Sequence, residues 1–255
     1  MIFWVLGFAL AGVLVGPFLG VAIDRLIDRV SPEFELRCSN CGHGLGPRSL
    51  IPVLHWRQSC AACSSGLGVR YVSADLLTGL VFGLLAFRFG VSFKLAPYLL
   101  LGAVLVVLSL VDAETHLLPN VVVWPSIWVA TIMTLVLSQV LDDARFVTAA
   151  LGGAVFGGFI GISHLVYARG MGRGDVKLAL LLGLFVGWVS VDPLDAVRLV
   201  LYAMVLALLG GALIGLAFNA LMKRGRAEIP FGPSLAAGSL IIIIVSQPVL
   251  SGFGG

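Results

Sequence analysis

Two aspartates and four cysteines are the residues of this 255-residue chain whose types and spacing could do chemistry. Asp112 ends the apolar run Leu108-Ser109-Leu110-Val111 and precedes Ala113-Glu114-Thr115-His116-Leu117-Leu118-Pro119-Asn120. Asp175 opens another apolar run, within Gly170-Met171-Gly172-Arg173-Gly174-Asp175-Val176-Lys177. Ionisable groups at the edge of apolar spans are costly to place and are candidates for function. A pair of carboxyls can hydrolyse a peptide bond. The ionised member takes a proton from water while the neutral member protonates the developing oxyanion. Helix ends divide the roles: Asp175, at a helix N-terminus, is expected to be the charged base, and Asp112, at a C-terminus, the protonated acid. The two would titrate as one coupled unit. Taken singly, each also reads as an ordinary interfacial cap, and only their pairing favours chemistry. Gly172 and Gly174 would let the backbone approach a substrate strand and adopt irregular conformation beside the helix start.

Cys38-Ser-Asn-Cys41 and Cys60-Ala-Ala-Cys63 use all four cysteines, with 18 residues between the pairs. Two C-x-x-C turns each present two thiolates, and together they can close a tetrahedral zinc site. Two disulfides are the other reading of four cysteines. A cytoplasmic location, argued next, favours the metal. The site is expected to be structural, because a segment with few apolar residues needs such a staple to fold. His43 and His55 lie nearby as bystanders.

The elements that must position these groups are membrane helices. Only 11% of residues are charged, against roughly a quarter in soluble domains, and mean hydropathy is +1.07. Uncharged runs near 2–23, 73–90, 95–112, 118–140, 146–167, 175–191, 198–222 and 231–250 predict about eight transmembrane helices in an all-α protein. The first is expected to be a retained span and not a signal peptide. The sixth has a short uncharged core, which predicts a tilted or partly unwound helix. Of the 16 basic residues, 12 fall in one set of alternate loops and 4 in the other, so the richer side should be cytoplasmic. Residues 1–23 then form the first helix, 24–72 a cytoplasmic tetracysteine insert, and 73–255 the remaining membrane core. Asp112 and Asp175, two crossings apart, would meet at the cytoplasmic face of the bilayer. A net charge of +3 gives no support for a nucleic-acid partner.

In order along the chain, these features resemble the type IV prepilin peptidase family of G-x-G-D membrane aspartic proteases. Gly16-Pro17-Phe18-Leu19 through Arg25-Leu26 is similar to that family's first helix and its exit. The two C-x-x-C turns flank Ile51-Pro52-Val53-Leu54-His55-Trp56 as in the family, and Arg70-Tyr71 with Leu76-Leu77-Thr78-Gly79 is similar to the second helix start. Asp112 with Leu117-Leu118-Pro119 resembles the first catalytic motif, and Gly172-Arg173-Gly174-Asp175-Val176-Lys177 the second. Ile229-Pro230-Phe231-Gly232-Pro233 resembles the motif opening the last helix.

The resemblance implies cleavage of the leader of a prepilin or pseudopilin, and N-methylation of the new terminus with S-adenosylmethionine. It implies residence in the bacterial inner membrane. Asn120 stands where the family often has aspartate, which leaves Asp112 as the catalytic member of that motif, and Asp75 stands where glutamate is usual. The spacer between the cysteine pairs is shorter than is common. No Gly-rich nucleotide-binding unit marks a methyl-donor site in the sequence, and oligomeric state is not legible.

Two other classes compete: an ion- or proton-coupled transporter with a zinc-stabilised domain, and a non-enzymatic scaffold of a pilus or secretion complex. His116 and His164 read as interfacial polar groups and Glu114 as solvated. Lys177 is placed to orient a carboxylate or to contact a lipid headgroup.

Overall fold

The computed structural model describes residues 2–28, 36–37, 41, 43–45, 60, 62–64, 69–141, 145–166, 172–222 and 231–251. Among these, eight helices run in order: α1 (Ile2–Asp28), α2 (Val69–Phe89), α3 (Leu95–Thr115), α4 (Asn120–Val140), α5 (Arg145–Val166), α6 (Arg173–Trp188), α7 (Pro193–Met222) and α8 (Gly232–Ser251). Between α1 and α2 lies a two-residue antiparallel ladder, β1 (Leu36–Arg37) with β2 (Gly44–Leu45), pairing Leu36 with Leu45. All eight expected helices are present, close to their expected positions.

Six of them, α1 to α5 and α7, are long and apolar enough to cross a membrane. The 16-residue α6 is not among the six: it carries Arg173, Asp175 and Lys177 in its first turns, in keeping with its short uncharged core. The many exposed Leu, Ile, Val and Phe side chains on α1, α4 and α7 are what lipid-facing helices require, since in a bilayer the apolar surface need not turn inward.

Contacts divide the chain into two compact units, Met1–Val111 and Asp112–Gly255. In the first, α1 and α2 run antiparallel at very close range: a Cβ on Gly12 would lie 2.6 Å from the Thr78 carbonyl oxygen, and one on Gly79 2.6 Å from a Val13 methyl. Ile23, Ala74, Val107 and Val111 form a buried cluster at the end of α1. Tyr71 donates its hydroxyl to Asp24, satisfying a carboxylate near the end of that helix.

In the second unit, α5 and α6 are antiparallel and nearly touch through their backbones. Gly152, Gly153, Gly157 and Gly161 of α5 meet Gly187, Gly183, Leu184, Leu180 and Val176 of α6 in descending order. Small residues allow this approach, and dispersion between closely packed backbones replaces the hydrophobic drive that lipid removes. Helix α4 lies parallel to α6, joined by Lys177 to Asn120 at one end and by Trp188 Nε1 to Ser138 Oγ (3.0 Å, buried) at the other. Helix α8 packs antiparallel on α7, with Gly238 against Ala203 and Ala207 and Gly211 against Phe231.

Candidate active site

This packing explains how residues 63 positions apart converge. Because α4 and α6 are parallel and α5 returns between them, the start of α6 comes back to the end of the unit where α3 stops. Asp112 lies in the last turn of α3 and Asp175 in the first turn of α6, and they are within electrostatic reach of each other. Both are buried, at 4% and 8% relative exposure, so neither is a solvated cap.

Each carboxylate is held by a backbone N–H at a helix start. Asp175 Oδ2 accepts from Gly172 N–H at 3.0 Å, folding back from the third position of its own helix. Asp112 Oδ2 accepts from Gly232 N–H at 2.9 Å, a donor that comes from α8. The C-terminal position of Asp112 on α3 is therefore only half of its electrostatic setting, because the positive end of α8 also points at it. The Phe231-Gly232-Pro233 motif carries no local signal of this bond, which joins residues 120 apart in sequence.

Neither glycine takes the irregular conformation expected beside the helix start. Gly172 has ordinary extended backbone (φ −74, ψ 150), and α6 is regular from Arg173 onwards. Gly174 is inside the helix, and a Cβ there would lie 2.7 Å from Leu118 Cβ. Its small size lets the loop between α3 and α4 close over the start of α6. That loop begins at His116, a non-glycine residue in the left-handed region (φ 53) whose N–H bonds to the Asp112 carbonyl at 2.9 Å. His116 stands within electrostatic reach of Asp112, and His164, at the end of α5, within reach of Asp175. Lys177 turns to α4, donating to Asn120 Oδ1 at 2.6 Å.

Of the four cysteines, Cys38 lies outside the described residues, as does His55. The sulfurs of Cys41, Cys60 and Cys63 all lie within 4.8 Å of one another and could hold a metal ion. Cys41 and Cys60 are 3.4 Å apart, well beyond the roughly 2.05 Å of a disulfide. A tetrahedron of thiolates at about 2.3 Å from zinc has sulfurs about 3.8 Å apart, so the three fit three corners of such a site. Ser64 N–H bonds to the Cys60 carbonyl at 2.8 Å, and Ser64 takes a left-handed φ of 57, closing the tight turn that aims Cys60 and Cys63 together. His43 is exposed and is not part of this cluster.

Residues 99–219 match the type IV leader peptidase family, and residues 10–89 match the bacterial peptidase A24 N-terminal domain. The chain is 32% identical to the prepilin leader peptidase/N-methyltransferase of Pseudomonas aeruginosa, over 92% of this chain and 88% of that one. It is 31% identical to the protein of that name in Neisseria gonorrhoeae, over 94% and 90%, and 26% identical to the one in Bacillus subtilis, over 94% of each. No solved structure matches. With identity above 30% sustained over nine-tenths of its length, the chain belongs to the type IV leader peptidase family.

Proposed function

We propose that this multi-pass inner-membrane protein is an aspartic endopeptidase that removes the leader peptide of type IV prepilins or pseudopilins, with Asp112 and Asp175 as its dyad, and that it N-methylates the new terminus. The observation that carries the peptidase reading is the convergence of two buried carboxyls, from separate helices, at one end of the second unit. Their names in the relatives carry the methylation reading.

In this reading one oxygen of each carboxyl is committed to a glycine N–H, and the other faces the reacting water and carbonyl. Asp175 takes a proton from the attacking water as Asp112 gives its proton to the carbonyl oxygen; on collapse, Asp175 passes the water's proton to the leaving amide nitrogen and Asp112 recovers one from the tetrahedral hydroxyl. A peptide bond inside a helix has its carbonyl hydrogen-bonded and shielded, so the substrate helix must unwind locally before attack. The uncharged runs support eight crossings and a distinct insert over 24–72, and the basic-residue asymmetry supports a cytoplasmic site. Zinc, held by Cys41, Cys60, Cys63 and Cys38, would fix the fold of that insert. No described residue is assigned to S-adenosylmethionine. A transporter would need carboxylates part-way along its spans, whereas both aspartates stand at helix ends.

The test is leader cleavage of a prepilin by the purified, detergent-solubilised protein, followed by mass spectrometry, with Asp112→Ala and Asp175→Ala beside it. Cleavage by the wild type and loss of at least about a hundredfold in each folded variant is expected. A variant that cleaves normally would remove that aspartate from the mechanism. Addition of one methyl mass to the product in the presence of the methyl donor tests the second activity.

A further inference from the structure

The first turn of α8 cannot be capped by its own residues. Phe231 gives its carbonyl to Leu235 N–H at 3.1 Å, which starts the helix, but its side chain has no oxygen for the free N–H groups that follow. Pro233 has no N–H at all. The Gly232 N–H needs an acceptor from elsewhere, and it finds Asp112 Oδ2 at 2.9 Å in a buried bond between residues 120 apart in sequence. Gly232 is itself buried. A Cβ at this position would lie 2.7 Å from that same oxygen and 3.1 Å from Asp112 Cγ, so any side chain would push the carboxyl away from the donor.

We infer that Gly232 is the positioning residue for Asp112: the N-terminus of α8 holds one carboxyl oxygen and thereby fixes which oxygen meets the substrate. The inference rests on the reading of Asp112 as a catalytic carboxyl. The requirement for glycine is the close approach of oxygen to Cα, and Pro233, having no N–H, offers no competing donor to the same carboxylate. Asp175 receives the equivalent donor from Gly172 N–H on its own helix. The dyad is thus built from two carboxyls each pinned at a helix start, one pinned within its own helix and one by a different helix.

The experiment uses the full-length protein in detergent and four variants: Gly232→Ala, Asp112→Ala, the double variant, and Gly238→Ala. The last is a packing control, since a Cβ at Gly238 would lie 2.7 Å from Ala207 N on α7, away from Asp112. Gly232→Ala is expected to lower kcat about tenfold to a hundredfold, with KM within about twofold of wild type and a displaced pH–rate profile. Gly238→Ala should lower Tm and leave the pH–rate profile in place. In the Tm cycle, Asp112→Ala should relieve the clash, so that the double variant loses less than the sum of the singles. If Gly232→Ala alone fails to fold, the double variant should fold again. An unmoved pH–rate profile in a folded Gly232→Ala, additive Tm losses, or no rescue would each overturn the inference. Should the wild type cleave no prepilin, the proposed function falls, and the Tm cycle still decides whether Gly232 holds Asp112.

Discussion

Lys177 Nζ donates to Asn120 Oδ1 at 2.6 Å and stands 5.4 Å from the centre of the Trp124 ring, so the ammonium two residues beyond Asp175 is engaged by α4. Residues two apart on a helix face different ways, which is why the same turn can present a carboxylate to one neighbour and an ammonium to another. The contact is exposed, and such pairs contribute at most about 1 kcal/mol, with a similar amount from the ring. Lys177→Ala should therefore lower Tm by no more than about 4–8 °C. Its kcat for leader cleavage should stay above about a tenth of wild type, in contrast to the loss expected for Asp175→Ala. A loss as deep as that of Asp175→Ala would place Lys177 in the chemistry.

The second half of α6 is locked to α5 by backbone packing, and the helix carries Asp175 at its other end. A Cβ on Gly183 would lie 2.8 Å from the Gly152 carbonyl carbon and 2.9 Å from Gly153 Cα, and neither atom can yield as a side chain would. Overpacking of this kind costs about 1–3 kcal/mol. Gly183→Ala should lower Tm and, by displacing the helix that carries Asp175, lower cleavage with it. Gly158→Ala is the matched control, because nothing lies within 4 Å of a Cβ there. Equal behaviour of the two variants in a thermal melt would contradict the packing account.

Helices and cysteines were legible in the sequence because their signals are local. An uncharged run must be a span of hydrogen-bonded helix in lipid, and C-x-x-C presents its thiolates whatever surrounds it. The placement of Asp112 and Asp175 at one end also followed, from counting crossings. What the sequence could not give were contacts that depend on which helices are neighbours. Gly232 reaches Asp112 from 120 residues away, and Gly174 is small because Leu118 lies on it, a reason that concerns packing and not backbone freedom. The end of each aspartate's own helix does not announce the second helix start aimed at Asp112. The same limit applies to Lys177, whose partner on α4 no local pattern announces.

The three clustered cysteine sulfurs set up a measurement of metal content. Elemental analysis of the purified protein should find about one zinc per chain, the ratio that a four-thiolate site demands. Cys60→Ser, at a buried position, should reduce it below about half. Because the metal is assigned to the fold of the insert, chelation should expose the 24–72 segment to protease while leader cleavage continues at a measurable rate. Loss of all cleavage on chelation, restored by zinc alone, would show that the insert also serves the dyad.

His116 ends α3 in a left-handed conformation that a side chain with Cβ adopts at a cost of about 1–2 kcal/mol. Glycine at this position removes the cost, so His116→Gly should raise Tm by about 2–4 °C. Asparagine tolerates left-handed backbone better than histidine but not as well as glycine, so His116→Asn should give a smaller rise. The imidazole also stands within electrostatic reach of Asp112, and both variants remove it. Backbone strain and imidazole charge therefore separate. A change in cleavage common to both variants belongs to the lost imidazole, and a change graded as the Tm is graded belongs to the backbone. Identical Tm values for wild type, glycine and asparagine would show that the left-handed turn carries no strain, leaving its place beside Asp112 as the only reason for a histidine there.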